Sequence, residues 1–304
     1  MYDTVNLWID RGDVSGGNTF EALPYLSNVT ERQNEQGYSC CGNVTGYNVY
    51  ICSSGISLKG SLSKSYFDGD NVATLTRRAT QEAIEKLSDI LHTDVGQAKV
   101  TRVDVATVIP TKRPPPDYYA YMGLKTHFKR LQAAPETLYY NNHQKQLVLY
   151  DKAEETKDIP ELMQKCNMLR YEFRLTKRVS AQLKTKVTAQ TLYDEIFYQN
   201  LIMRWFKEFQ SIQKIQKQSF MTDKITTVKE AENALFAHLL QQSGQGIIDE
   251  FLNELKANST FKERPRYSEL KKRLHTILEA PRGEKSDLVQ ELETAIYNVA
   301  KYAR

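Results

Sequence analysis

The chain predicts an α+β fold: an antiparallel sheet with helices on one face, followed by an all-helical C-terminal region. Three observations carry this. Short runs within residues 1–180 alternate apolar and polar side chains, as in Leu169-Arg170-Tyr171-Glu172-Phe173-Arg174, with the period of two that a half-buried strand requires. One amphipathic segment, about residues 77–92, interrupts them with helical spacing. After about residue 178 the period changes to 3.6. The predicted division is an α+β domain over 1–180 and an all-helical region over 181–304.

The elements follow in order. Residues 2–9 read as a strand, with Tyr2, Thr4, Asn6 and Trp8 on one face and Val5, Leu7 and Ile9 on the other. A Gly-, Asn- and Ser-rich stretch follows. Residues 47–52 and 56–61 form a hairpin around Ser53-Ser54-Gly55. Thr76 caps the helix, whose apolar stripe is Ala79, Ala83, Leu87 and Ile90, widened by Ile84 and Leu91. A strand over 101–105 leads to Pro110 and the run Pro114-Pro115-Pro116, which open a loop. A short helix is expected over 118–131. Then come a strand over 146–152, a polar connection with Pro160, and a strand over 169–174. Helical patterns cover 189–218, 227–242, 246–257, 266–279 and 286–302, with Ala280-Pro281-Arg282-Gly283 between the last two.

Bulk properties bound the function. A length of 304 residues suits about two domains. Apolar content of 40% and charged content of 26% describe a soluble globular protein. No stretch is long and apolar enough to cross a membrane. Residues 1–9 lack the basic and apolar regions of a signal peptide, so a cytoplasmic protein is expected. Cys40, Cys41, Cys52 and Cys166 lack zinc spacing and read as reduced thiols. The net charge of +4 permits nucleic-acid binding without demanding it.

Three strands carry the chemistry. Alternation puts Arg102 and Asp104 on one face of the first, and Arg170, Glu172 and Arg174 on one face of another. Tyr150 and Lys152 share a face of the third, with Leu147 and Leu149 behind. If these strands pair, a nucleophile, two carboxylates and several cations meet on one side of a sheet. Such a set can break a phosphodiester with a metal ion. Two readings of Asp104 and Glu172 stand: ligands for Mg²⁺ or Mn²⁺, or carboxylates paired with the neighbouring arginines. Tyr150 is either a nucleophile or a half-buried strand tyrosine. Tyr193 and Tyr198 are five residues apart, which turns them about 140° from each other on a helix, so they read as packing.

Four blocks carry a resemblance. They are residues 58–64 with the helix over 74–92, Val100-Thr101-Arg102-Val103-Asp104-Val105-Ala106-Thr107, residues 138–142 running into Leu149-Tyr150-Asp151-Lys152-Ala153-Glu154-Glu155, and residues 169–175. In order and spacing they resemble the phage and plasmid replication initiators of the II/X type, the gene II-like rolling-circle initiators. The resemblance covers roughly residues 1–180. It implies a tyrosine-endonuclease-like fold and a cytoplasmic enzyme in a bacterial host. It implies nicking of one strand at an origin through a covalent 5′-phosphotyrosine, followed by rejoining. It assigns Tyr150 as nucleophile with Lys152 beside it, and Asp104 and Glu172 as ligands of Mg²⁺ or Mn²⁺, with Glu155 either a third ligand or a partner that supports the other two. Arg102, Arg170, Arg174, Lys177, Arg178 and Lys59 would hold DNA. Partners would be double- and single-stranded origin DNA and a host or element-encoded helicase. The histidine pair common in other tyrosine endonucleases is missing: His92, His127, His143, His238 and His275 stand apart. Two other classes remain open, a non-catalytic DNA-binding regulator and a plasmid-transfer relaxase. A basic stretch over 261–274, interleaved with Phe261 and Tyr267, reads either as a DNA contact or as a solvated helix face.

Overall fold

Alternating side chains need a partner for their apolar face, and here they find it in one sheet. In the computed structural model, described residues are all but 36, 70–72, 134, 156–165, 216–224, 244, 280–285 and 304. Among them, ten strands pair antiparallel: β1 (Tyr2–Asp10), β2 (Ser27–Asn34), β3 (Gly37–Val44), β4 (Tyr47–Cys52), β5 (Gly55–Gly60), β6 (Lys99–Thr111), β7 (Lys129–Ala133), β8 (Thr137–Asn141), β9 (Lys145–Asp151) and β10 (Asn167–Leu175). Their order across the sheet is β2-β3-β4-β5-β1-β6-β10-β9-β8-β7.

One face is apolar and buried: Val5, Leu7, Leu58, Val103, Val105, Leu147, Leu149, Leu169, Tyr171 and Phe173. Helices α1 (Leu62–Tyr66), α2 (Arg77–Leu91), α3 (Pro115–Tyr119), α4 (Lys152–Glu155), α5 (Val179–Leu183) and α6 (Glu195–Gln210) accompany the sheet. The Thr76 hydroxyl accepts from the Ala79 amide at 3.1 Å and starts α2, which buries Ala79, Ala83, Ile84, Leu87 and Leu91. Trp205 and Phe209 of α6 are fully buried, with ring centroids 5.0 and 5.4 Å from that of Tyr171. Each such aromatic contributes about 2–3 kcal/mol by burial, which holds α6 on the apolar face. The opposite face, with Asn6, Trp8, Lys59, Arg102, Gln146 and Tyr150, keeps contact with solvent.

The helical region contains α7 (Val228–Ser243), α8 (Gln245–Ala257), α9 (Arg264–Glu279) and α10 (Asp287–Tyr302). Leu240, Ile248, Leu252 and Leu274, joined by Leu270 and Ile277, form its small core. The residues group into two compact units: Met1–Tyr119, Lys125–Ile212 and Leu292–Arg304 in one, Ala120–Leu124 and Gln213–Glu291 in the other. The sequence boundary near residue 180 falls inside the first unit, because α6 packs on the sheet.

Several expectations are corrected. A bulge between Tyr2 and Val5 resets the alternation of β1. Tyr2 pairs with Val105 and Val5 with Val103, so both face the core, and Asp3 is left on the polar face. The expected helix over 118–131 is absent. The prolines instead open the short α3, and residues 129–133 add an edge strand to β8. The strand over 146–152 ends at Asp151, and Lys152 starts α4. The 189–218 pattern is a 3₁₀ turn, Gln190–Tyr193, followed by α6. The end of that pattern, the Pro160 connection and the Ala280–Gly283 break lie outside the described residues.

Candidate active site

β6, β10 and β9 lie side by side, and their register lines up side chains in rows across the sheet. Asp104 stands opposite Arg174, which stands opposite Gln146. The next row on this face is Ala106, Glu172 and Val148, and the one after is Val108, Arg170 and Tyr150. The β8–β9 turn helps to set this register. The Asn142 carboxamide accepts from the amides of Gln144 and Lys145 at 3.0 and 2.8 Å, closing a tight Asx turn.

Small or apolar neighbours stand directly opposite Glu172, so its own strand supplies its charged partners. Arg170 Nε donates to Glu172 Oε1 at 2.8 Å, and Arg174 grips Oε2 through Nε at 2.7 Å and Nη2 at 2.6 Å. The Tyr150 hydroxyl donates to Glu172 Oε1 at 2.9 Å. Arg102 holds Asp104 with two bonds, Nε to Oδ1 at 3.0 Å and Nη2 to Oδ2 at 2.6 Å. Arg174 Nε lies 3.8 Å from Asp104 Oδ2, so it links the two carboxylates. On the far side, Arg170 Nη2 donates to Asp3 Oδ2 at 2.6 Å, and Ser61 donates to Asp3 Oδ1 at 2.6 Å. Three carboxylates thus balance three guanidiniums.

Burial grades across the cluster. Asp104, Arg170 and Glu172 are 1–3% exposed, whereas the side chains of Arg102 and Arg174 keep 31% and 23%. Burial pushes the Asp104 carboxyl up to about 6, against the pull of Arg102 and Arg174. Burial works in the same direction on Glu172, but Arg174 and Arg170 outweigh it and hold that carboxyl below its ordinary value. Burial and then the Glu172 charge push the Tyr150 phenol well above its usual range. At rest, therefore, Glu172 is a carboxylate and Tyr150 a neutral phenol.

The residues were also expected to hold Mg²⁺ or Mn²⁺. All four oxygens of Asp104 and Glu172 already accept from guanidinium groups. Among the described residues, no group of three or more His, Cys, Asp or Glu side chains is placed to hold a metal ion. In this arrangement the carboxylates do not fit a divalent cation, and taking one up requires an arginine to let go.

The other expected residues lie elsewhere. Lys152 is buried at the start of α4, and its ammonium pairs with Glu155 one turn on. Lys59 is exposed on β5, which β1 separates from β6. Lys177 and Arg178 are exposed just beyond β10. Tyr150 and Arg174 open onto a hollow of about 430 Å³, whose wall also carries Glu136, Asp151, Glu154 and Glu155. That wall is acidic, so a phosphate has its favourable approach from the arginine side. Tyr198 is buried with its ring 5.7 Å from that of Tyr2. Sequence reasoning missed Asp3, Ser61 and Gln146, whose amide oxygen accepts from Arg174 Nη1 at 2.7 Å. Gln146 was legible from its alternation with Val148 and Tyr150; Asp3 was hidden by the bulge.

No curated protein matches the chain. A family model does, over residues 1–194, and it describes the N-terminal region of the gene II replication-associated protein of phages. The matched stretch includes every residue of the arginine–carboxylate cluster together with Tyr150. The chain belongs to that family, the phage replication initiators of the gene II type.

Proposed function

We propose that the chain initiates rolling-circle replication by nicking one strand of origin DNA with Tyr150 and later rejoining it, as a tyrosine endonuclease does. One observation carries the reading. The Tyr150 hydroxyl donates to a buried carboxylate, Glu172, which is also paired with the buried Arg170 and with the partly exposed Arg174, a cation within reach of an incoming phosphate. In the reaction the Tyr150 oxygen forms a bond to phosphorus and the bond from phosphorus to the 3′ oxygen breaks. The phenolic proton passes to Glu172 Oε1, and the 3′ oxygen leaves and takes a proton from water. The 5′ phosphate is then an ester of Tyr150, and attack by a 3′ hydroxyl reverses the sequence.

Arg174 makes the step conditional. At rest its charge keeps Glu172 a weak base. A DNA phosphate competes for this partly exposed guanidinium. As Arg174 turns to the phosphate, Glu172 gains proton affinity while the phosphate gains a positive neighbour. Arg170, buried and anchored by Asp3, stays in place and keeps Glu172 aimed at Tyr150.

The test is a nicking assay on supercoiled DNA carrying the cognate origin, with Mg²⁺ or Mn²⁺ present, resolved in SDS. Wild type is expected to give a nick and a covalent protein–DNA adduct, and Tyr150→Phe neither. An adduct that persists in Tyr150→Phe moves the nucleophile elsewhere. No nick on true origin DNA leaves a non-catalytic DNA-binding role.

A further inference from the structure

The chain's positive charge is not spread evenly. Residues 254–276 hold seven basic side chains against three acidic ones, a surplus of +4 that equals the net charge of the whole chain. α7 and α8 hold the reverse, five carboxylates against two lysines. The helical unit is therefore polarised towards the end of α8, the connector over 258–263, and α9.

This basic end is also shaped. A hollow of about 1100 Å³ lies in the corner between α8 and α9, and Lys256, Lys262, Lys271, Asn253 and Ser268 line it. The corner is pinned from within. The Tyr267 hydroxyl accepts from the Phe261 amide at 2.9 Å and lies 3.2 Å from the carbonyls of Leu255 and Phe261. Phe261 and Tyr267 stack edge to face with centroids 5.0 Å apart. The lysine stems thus leave a backbone held in one geometry, and a rigid base loses less entropy on binding. One carboxylate, Asp249, enters the hollow, but it pairs with Lys271 at 3.0 Å and both are half exposed. Such a pair is worth at most about 1 kcal/mol and yields to a stronger anion. Leu270, Leu274 and Ile277 turn inward, and Lys272 is exposed along α9, as are Arg266 and Arg273, which pair at the surface with Glu263 at 3.4 Å and Glu269 at 2.8 Å.

We infer that the α8–α9 corner is a second DNA-binding surface, which takes backbone phosphates of duplex DNA independently of the Tyr150 cluster. The inference deepens the proposed function by giving the helical unit a sequence-independent grip on the duplex. A hollow lined by three lysines, Asn253 and Ser268, with Asp249 held by Lys271, suits phosphate oxygens, which position a protein without reading bases.

The experiment measures binding of the full chain to a 20-base-pair duplex without origin sequence, across a salt series. Lys256, Lys262 and Lys271 are changed together to Gln. A second triple, Lys86→Gln, Lys229→Gln and Lys301→Gln, alters the net charge equally at exposed sites elsewhere. Each lost phosphate contact lowers the slope of log affinity against log salt by about 0.9, so the corner triple is expected to lower it by about 3. The second triple should leave it nearly unchanged. Lys262→Glu alone, a connector change outside any helix, should lower it by about 1 and guards against a folding defect in the triple. An unchanged slope in both corner variants overturns the inference and points to an acidic protein surface instead. Equal losses in the two triples also overturn it, because bulk charge then suffices. Covalent adduct formation on a short single-stranded oligonucleotide reports Tyr150 separately, so failure of one reading leaves the other measurable.

Discussion

Asp3 Oδ2 accepts from Arg170 Nη2 at 2.6 Å, although 167 positions separate the two residues. β1 and β10 are not neighbours in the sheet; β6 lies between them, and the pair reaches across it. The bulge in β1 makes this possible by turning Asp3 onto the polar face. Arg170 is thereby held between Asp3 on one side and Glu172 on the other, with 3% of its side chain exposed.

Removing Asp3 should therefore destabilise the fold. Asp3→Ala leaves a buried guanidinium with one carboxylate instead of two, and a cost of about 2–4 kcal/mol is expected. Asp3→Asn keeps an acceptor and should cost less. Urea denaturation of both variants checks the order; equal stability of Asp3→Ala and wild type would mean that Glu172 alone satisfies Arg170.

Glu172 has a structural and a chemical role that one substitution separates. Glu172→Gln retains an oxygen for the Tyr150 hydroxyl but takes a charge from between Arg170 and Arg174. Stability should fall by about 3–5 kcal/mol, the usual cost of breaking a buried pair. Adduct formation should fall about 100-fold or more even at temperatures where the variant stays folded, because an amide cannot take the phenolic proton. Single-turnover adduct rates, set beside circular dichroism at the same temperature, read the two effects apart.

Asp104 gives the cluster a pH signature. Its folded carboxyl is raised from 3.8 to about 6, so the folded state binds the proton more tightly than the unfolded one. The sign follows: this residue's contribution is most favourable below about pH 4 and declines as pH rises to about 6, by roughly 3 kcal/mol for a shift of this size. Glu172 runs oppositely, since its lowered pKa contributes stability that is lost as pH falls below its unfolded value. The stability difference between wild type and Asp104→Asn isolates the first effect. It should shift against wild type between pH 4 and 6, and a flat difference across that range would contradict the burial argument.

What the sequence made legible follows the range of the forces involved. Alternation alone identified the polar faces of β6, β9 and β10, because the pleat is a local property. The pairing of Arg174 with Asp104, and of Arg170 with Tyr150, depends on register between distant segments, which no local pattern encodes. β3 was illegible for a different reason: its core-facing positions include Gly42, where a Cβ would approach Leu26 Cβ to 2.9 Å, so a glycine stands where an apolar signal was sought. Lys152 was misplaced because the strand ends one residue earlier and Glu155, three residues on, captures its ammonium in a helical turn. Asp3 escaped notice because a bulge breaks the period that sequence reading assumes.

Arg102 decides how the cluster meets divalent ions. It holds both oxygens of Asp104, and its side chain, 31% exposed, is the most accessible of the three arginines. A metal ion approaching Asp104 must displace this bidentate pair, whose geometry matches a carboxylate closely. The chain without DNA should therefore bind Mn²⁺ weakly. Arg102→Gln removes the competitor and leaves Asp104 with only the more distant Arg174. At pH 8, well above the carboxyl's raised pKa, Mn²⁺ affinity should rise about tenfold or more, since freeing one buried carboxylate from a charged pair is worth at least about 1.4 kcal/mol to an incoming cation. Free Mn²⁺ measured by electron paramagnetic resonance tests this without reference to nicking. Unchanged affinity would mean that Asp104 is no ligand even when released, and that any divalent ion used with DNA is held elsewhere.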